Sequence, residues 1–371
     1  MALKSKPKPK SDNNQFFDNF FSKIKDEYTS IAASATSASE FTGFINTGSL
    51  SLNALFSGSL FGGIPNNKIV AFAGESATGK TFFVLGIINN FLRENPKGMV
   101  VYYDTEAAVT KDIMEKRSID CSRVVISEPE TVQKFRTHCL KVLDTYNQIP
   151  NDDKQPLLIV LDSLGMLSTS KEMEDSTEGK DTKDMTRASI IKAAFRTITL
   201  KAARCRVPII VTNHTYDTLN MYSAKEISGG GGLKYAASQI VTLSKKKDKD
   251  DTGVIGAIIT AKMYKGRLTK QDSSVEVKLT FSRGLDKYFG LLDLALETGL
   301  VKKAPKGYLF SDGRKETETE IYKNPTEYFT DDFLQQLDKL TRTRFEYGME
   351  DNDKAEEAIN TLSFDEESVD S

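Results

Sequence analysis

From Asn67 onward, apolar runs alternate with stripes of helical period. The apolar, β-rich runs fall at 68–74, 98–106, 123–127, 156–163 and 207–213, and helical patterns lie between them, notably at 80–93, 130–147 and 186–205. Short, nearly continuous apolar runs suit strands buried on both faces, and intervening helices supply the crossovers that parallel strands need. The pattern predicts an α/β fold with a mostly parallel central sheet covered on both sides. The later runs at 238–244, 254–262 and 273–282 have no helix between them, and "VTLSKKKDKDDTGVIGAIIT" reads as a hairpin with a charged turn. The sheet should therefore end in antiparallel edge strands. Ahead of this core, Phe16, Phe17, Phe20, Phe21 and Ile24 recur at helical spacing within 14–28. So apolar a stripe needs a surface to cover, its own core or a neighbouring subunit. Two stretches, 168–189 and 215–232, lack apolar periodicity. Connections that long inside a compact domain are usually functional or disordered.

Composition narrows the class. No apolar run approaches the roughly 20 residues that cross a bilayer, and the basic, Pro-rich start "MALKSKPKPK" lacks the apolar segment of a secretory signal. Cys121, Cys139 and Cys205 are isolated, which fits a reducing compartment and no metal cluster. Charge is unevenly placed: from Phe345 onward ten acidic residues face Lys354 alone, in a chain whose net charge is −2. The remaining body is thus net positive, the balance of a polyanion-binding surface with a competing internal anion or, more plainly, a solubilising tail.

Three motifs carry chemistry. "GESATGKT" (74–81) matches G-x-x-x-x-G-K-[ST], follows a predicted strand and opens a predicted helix. This is the context in which Gly74, Glu75, Ser76, Ala77, Thr78 and Gly79 wrap amides around phosphate. Lys80 would reach the β/γ-phosphates, and Thr81 would offer its hydroxyl to Mg²⁺. "LLIVLD" (157–162) ends a buried strand in Asp162, placed to hold Mg²⁺ partly through water, or else to cap a helix. "VVYYDTE" (100–106) sets Asp104 and Glu106 just past another strand, with Glu106 the carboxylate to polarise a water and Asp104 its support. Together they predict a P-loop ATPase using ATP and Mg²⁺. His214, in "TNHTY" (212–216), ends another strand; a packed strand-end histidine is the plain alternative to a role in the site.

These motifs, with "INTGSLSLNALFSGSLFGGIPNNKIVAFAGESATGKT" (45–81), "YYDTEAAV" (102–109), "LLIVLDSLGML" (157–167), "IIVTNHTY" (209–216) and "ISGGGGLKYAAS" (227–238), resemble the RecA-type recombinases, most closely those of T4-like bacteriophages. The resemblance covers about Phe44 to Val301. It implies a RecA-like P-loop core at 44–284. Around that core the residues themselves read as an N-terminal basic tail, Phe-rich helix and linker (1–43), a small C-terminal region (285–345) and an acidic tail (346–371). The resemblance makes the Phe-rich helix an oligomerisation element. It also implies ATP held between protomers of a helical filament on single-stranded DNA, which is paired with homologous duplex DNA, with a mediator protein and a single-strand-binding protein as further partners. The cytoplasm of an infected bacterial cell is the implied location.

By position, the resemblance makes Glu106 the activator of water and His214 the sensor of the γ-phosphate. It makes Lys265 and Arg267 cations offered to a neighbour's ATP, although a solvated charge cluster is the alternative. The two long stretches become DNA-binding loops. The second suits that role chemically: Tyr216, Met221 and Tyr222 can stack on bases, Lys225 can meet phosphate, and the backbone at Gly229 and Gly230 can approach the strand closely. In the first, Arg187 is the best candidate. One departure is Ile113, where bacterial members of the family place an aromatic residue over adenine. A ring helicase on the same core and a regulatory protein that binds ATP without hydrolysing it are the competing readings.

Overall fold

The computed structural model describes residues 12–26, 29–34, 37–180, 184–216, 226–227, 231–250, 253–280 and 284–348. Contacts divide the chain after Glu40. The first unit holds α1 (Asp12–Ile24), along which Phe16 stacks on Phe20 and Phe17 on Phe21, each pair with centroids 6.2 Å apart. Phe16, Phe17, Phe20 and Ile24 are exposed and Phe21 is half-buried, so the expected helical stripe forms.

The second unit opens with a short antiparallel pair, β1 (Phe44–Ile45) and β2 (Ile64–Pro65), bracketing α2 (Leu50–Ser57). Every residue of α2 except Ser57 is buried. A helix enclosed all round shows no amphipathic stripe, which is why its period does not stand out in the sequence. It ends at Gly58, whose φ of 81° is the left-handed stop that glycine adopts without strain.

The ten-stranded sheet contains β3 (Ile69–Gly74), β4 (Met99–Asp104), β5 (Val124–Ser127), β6 (Leu157–Asp162) and β7 (Ile209–Tyr216), with β8 (Glu226–Ile227) returning against the end of β7. It continues with β9 (Gln239–Asp250), β10 (Gly253–Gly266), β11 (Ser274–Thr280) and β12 (Gly284–Leu285). The strand order is β12-β11-β10-β9-β3-β7-β6-β4-β5. Pairing is parallel from β9 through β5 and antiparallel from β9 through β12, as the loss of intervening helices predicts.

Alternate residues of each central strand feed two separate cores. Val70, Phe72, Val100, Tyr102, Leu158 and Val160 join one cluster; Ile69, Ala71, Val101, Tyr103, Ile159 and Val211 join the other. The first face is covered by α2 and α3 (Lys80–Glu94). The short α4 (Lys111–Glu115) follows β4. The second face is covered by α5 (Val132–Gln148), α7 (Arg187–Cys205) and α8 (Gly231–Ala236). Gly232 lets α8 approach α7: a Cβ there would lie 2.8 Å from the Lys192 amide nitrogen.

The stretch 168–189, expected as a loop, contains a helix, α6 (Ser170–Thr177). Its periodicity is too short to read, but its start is well specified: Thr169 and Glu172 form a reciprocal capping box. The C-terminal region comprises α9 (Leu291–Glu297), a three-stranded sheet of β13 (Val301–Ala304), β14 (Gly307–Phe310) and β15 (Lys315–Glu316), and α10 (Glu318–Lys323), α11 (Pro325–Tyr328) and α12 (Asp331–Phe345). Leu291, Phe310, Leu337 and Phe345 belong to the same cluster as β3 and α3, so this region shares the core of the sheet's first face. Buried Asp338 ties α12 down by accepting from Ser59 Oγ (2.6 Å) and the Leu60 amide (2.7 Å). Among the described residues no helix is long and apolar enough to cross a membrane.

Candidate active site

β3 runs straight into the glycine loop, and its neighbours decide what faces that loop. Gly74 pairs in register with His214 on one side and Leu243 on the other. A Cβ at Gly74 would lie 2.9 Å from the Leu243 carbonyl oxygen, and Gly79 has a φ of 91°, so both glycines are required by geometry. Ala77 also adopts a left-handed backbone. Glu75, Ser76 and Ala77 are exposed at the mouth of the loop, while Thr78 is buried and its hydroxyl donates to the Glu75 carbonyl at 2.9 Å. Thr81 follows in the first turn of α3, a fifteen-residue helix whose N-terminus favours anions.

Lys80 is buried, and its ammonium donates to the carbonyls of Gly74 (2.9 Å) and Glu75 (2.8 Å). Its third partner is His214 Nδ1 at 3.4 Å. Burial lowers the Lys80 pKa from its ordinary value, while Glu106 and Asp162 pull the other way. The opposite nitrogen of His214, Nε2, lies 3.2 Å from Glu106 Oε1. A carboxylate only accepts, so Nε2 carries the proton and Nδ1 is left to accept from Lys80. His214 thus bridges the buried lysine of the glycine loop and the candidate base.

Glu106 leaves β4 on a turn shaped by Asp104, whose buried carboxylate accepts from the amides of Glu106 and Val109, each at 3.0 Å. Asp104 therefore supports the turn. Asp162 is also buried, accepting from Tyr102 Oη at 2.7 Å and from Thr212 Oγ1. Burial and the Asp162 charge drive the Tyr102 phenol far above its ordinary pKa, so it remains a donor. A hydroxyl at Thr81 and a fixed carboxylate at Asp162 are hard oxygen donors. With phosphate oxygens and water they fit the ligand chemistry of Mg²⁺.

Tyr102, Thr212 and Ser163, which donates to Glu106 Oε1 at 2.9 Å, are neighbours of the candidate carboxylates that sequence reasoning missed. The adjacency of Ser163 to Asp162 was the one available signal. Lys245 was missed too; its ammonium meets the Ala77 carbonyl beside a cavity of about 720 Å³ lined also by Thr215, Lys262 and Tyr264. Ile113 is half-buried, and nearby the Arg117 guanidinium lies 4.2 Å from the centroid of the Phe82 ring, two residues past Lys80.

Lys265 and Arg267 are not brought to this site. In the sheet register Lys265 pairs with Ile240, which pairs with Ala71, three residues or roughly 10 Å of strand before Gly74. Lys265 instead donates to the carbonyls of Lys234 and Ala237 (2.7 Å for the latter), and Arg267 to that of Tyr235 at 3.1 Å. Burial, with Arg267 nearby, pulls the Lys265 pKa down to about 8. Both cations therefore grip the C-terminal end of α8.

Of the DNA-loop candidates, Tyr216 is exposed at the end of β7, where Thr215 pairs with Ile227 and closes the base of the second loop. Met221, Tyr222, Lys225, Gly229 and Gly230 lie outside the described residues. Arg187, the candidate from the first stretch, opens α7 and already has partners. It pairs with Glu172 at 2.9 Å and donates to the Gly165 carbonyl at 3.1 Å, because the capping box brings Glu172 back over α7.

Comparison with known proteins bears on this arrangement. The RecA N-terminal domain family matches residues 20–286. The "Recombination and repair protein" of Enterobacteria phage T4 is 31% identical over 258 residues, 69% of this chain and 64% of its own length. The RecA proteins of Chloroherpeton thalassium and Cereibacter sphaeroides are each 26% identical, over 85% of this chain and 85% of the former, and over 76% of this chain and 80% of the latter.

Proposed function

The chain belongs to the RecA family, and from that premise we propose that it is a recombination and repair ATPase: it hydrolyses ATP in response to single-stranded DNA, assembles on that strand as a filament and pairs it with homologous duplex. The observation that carries the reading is the bridge from Lys80 through His214 to Glu106. A γ-phosphate competes for the Lys80 protons and offers His214 a new partner. The histidine then shifts, and Thr215 and Tyr216, next along the same strand, shift with it. A ligand moves such an equilibrium only through contacts that differ between the two states, and His214 supplies one.

The bound Mg²⁺, held by Thr81 and through water by Asp162, would neutralise charge on the β- and γ-phosphates. The chain's own residues do the rest. Backbone amides of 75–79 cradle phosphate, Lys80 holds its terminal oxygens, and Glu106 orients and accepts a proton from water. Lys265 and Arg267 would reach a neighbouring protomer's ATP by exchanging their grip on α8 for phosphate, coupling turnover to assembly. Tyr216 and the second loop would contact the single strand, and α1 would lay its exposed phenylalanines on the next protomer. Phe82 and Arg117 would flank the base in place of the aromatic residue absent at Ile113. The 64% coverage of the phage T4 relative makes transfer of its named role to this whole chain part of the proposal. A mediator, a single-strand-binding protein and action in host cytoplasm belong to it as well.

The test is phosphate release measured with and without single-stranded DNA, beside electron microscopy with a non-hydrolysable nucleotide. Strand-stimulated release and helical filaments are expected. Turnover on circles too short for filaments, coupled to fork unwinding, would establish the ring helicase instead, and nucleotide binding without release would establish the regulatory protein.

A further inference from the structure

Glu106 lies two residues past the end of β4 and Ser163 one past the end of β6. Asp104 stands opposite Asp162 in the pairing of these strands. Beyond that pair the strand ends are bolted together. The Thr105 amide donates to the Asp162 carbonyl at 2.9 Å, Thr105 Oγ1 donates to the Ser163 carbonyl at 2.8 Å, and the Ser163 amide donates to Thr105 Oγ1 at 2.8 Å. Ser163 is fully buried, and its hydroxyl donates to Glu106 Oε1 at 2.9 Å. His214 Nε2 approaches that same oxygen, whereas Oε2 has no hydrogen-bond partner among the described residues.

We infer that Ser163 is a positioning residue for Glu106: its buried hydroxyl anchors Oε1 so that Oε2 is the oxygen presented to the attacking water. This rests on the assignment of Glu106 as the base. Two donors share Oε1, but they are not equivalent. His214 is the partner that a γ-phosphate draws away, which leaves Ser163 as the hold that persists while hydrolysis proceeds. Ser163 is rigid because the Thr105 clamp fixes its backbone, and a base held within a few tenths of an ångström of its working geometry is what proton abstraction requires.

The experiment compares Ser163→Ala, Ser163→Cys and Glu106→Ala in DNA-stimulated ATP hydrolysis by the full chain. Ser163→Ala should lower kcat by about tenfold, a part of the roughly 10²–10⁴ that a general base contributes. KM for ATP and binding of a fluorescent nucleotide should stay within about twofold. Ser163→Cys, similar in size with a weaker donor, should lower kcat less than Ser163→Ala does, again with KM for ATP unchanged. An unchanged kcat in Ser163→Ala, with Glu106→Ala inactive, overturns the role of Ser163 alone. Loss of nucleotide binding in both Ser163 variants, or a kcat in Ser163→Cys no higher than in Ser163→Ala, also overturns it, because either is the signature of a packing role. Hydrolysis persisting in Glu106→Ala overturns the base assignment, and this inference with it.

Discussion

At the scale of single residues, the two nitrogens of His214 divide the work: Nε2 donates to Glu106 and Nδ1 accepts from Lys80. Removing the ring breaks both links and leaves the glycine loop intact. His214→Ala should therefore bind ATP yet grip single-stranded DNA equally with and without it, measured by fluorescence anisotropy in both nucleotide states. Lys80→Ala deletes the buried ammonium that would meet phosphate, and nucleotide-driven filament assembly should be lost, as read by electron microscopy. Glu106→Ala should form DNA-bound filaments while turnover falls by about 10²–10⁴ in a phosphate-release assay, the usual contribution of a positioned base. The chemical identity of these residues is visible in motifs. The geometry that joins them arises only because β3, β7, β4 and β6 are neighbours in one sheet.

At the scale of elements, polar links tie together the described parts of the first long stretch. Asp184 accepts from Thr169 Oγ1 at 2.7 Å and from Thr186 Oγ1 at 2.6 Å, closing the segment on itself. The Thr186 and Thr169 hydroxyls hold the Asp184 pKa down from 3.8 to about 2. A carboxyl depressed on folding contributes stability that is present above its ordinary pKa and lost as pH falls through the folded value. Carboxyl NMR should place the Asp184 midpoint near pH 2, and Thr186→Ala should raise it. A second element, α12, depends on Asp338. Asp338→Ala would leave the buried Leu60 amide without its acceptor and should cost about 1–3 kcal/mol by denaturant unfolding. Helix α2 and the capping box before α6 are the elements that periodicity does not reveal, one because it is enclosed and the other because it is short.

At the scale of the molecule, charge and assembly meet. The segment from Phe345 carries ten acids against one lysine, and α12 leads into it beside the turn after β10, where the Lys270 amide donates to the Phe345 carbonyl at 2.7 Å. Lys265 and Arg267 precede that turn on the same strand end. Deleting residues 349–371 should tighten binding to single-stranded DNA at low salt. The advantage should shrink toward zero as salt rises, because screening weakens the tail's competition as it weakens DNA binding itself. Titrations at several salt concentrations check this, and a constant advantage would mean the tail acts through contacts other than charge.

The central strands, their flanking helices, the antiparallel edge and the phosphate loop were readable from residue order alone. Each is written in a local period or spacing, and local rules survive without knowledge of the rest of the chain. Tertiary structure alone decided that Ser163 holds Glu106, that His214 spans Lys80 and Glu106, that Arg187 is occupied by Glu172, and that Lys265 grips α8. Except for Arg187 and Glu172, whose contact depends on the fold of a short segment, these partners lie tens of residues or more apart. They meet through strand order and register, which are properties of the assembled sheet.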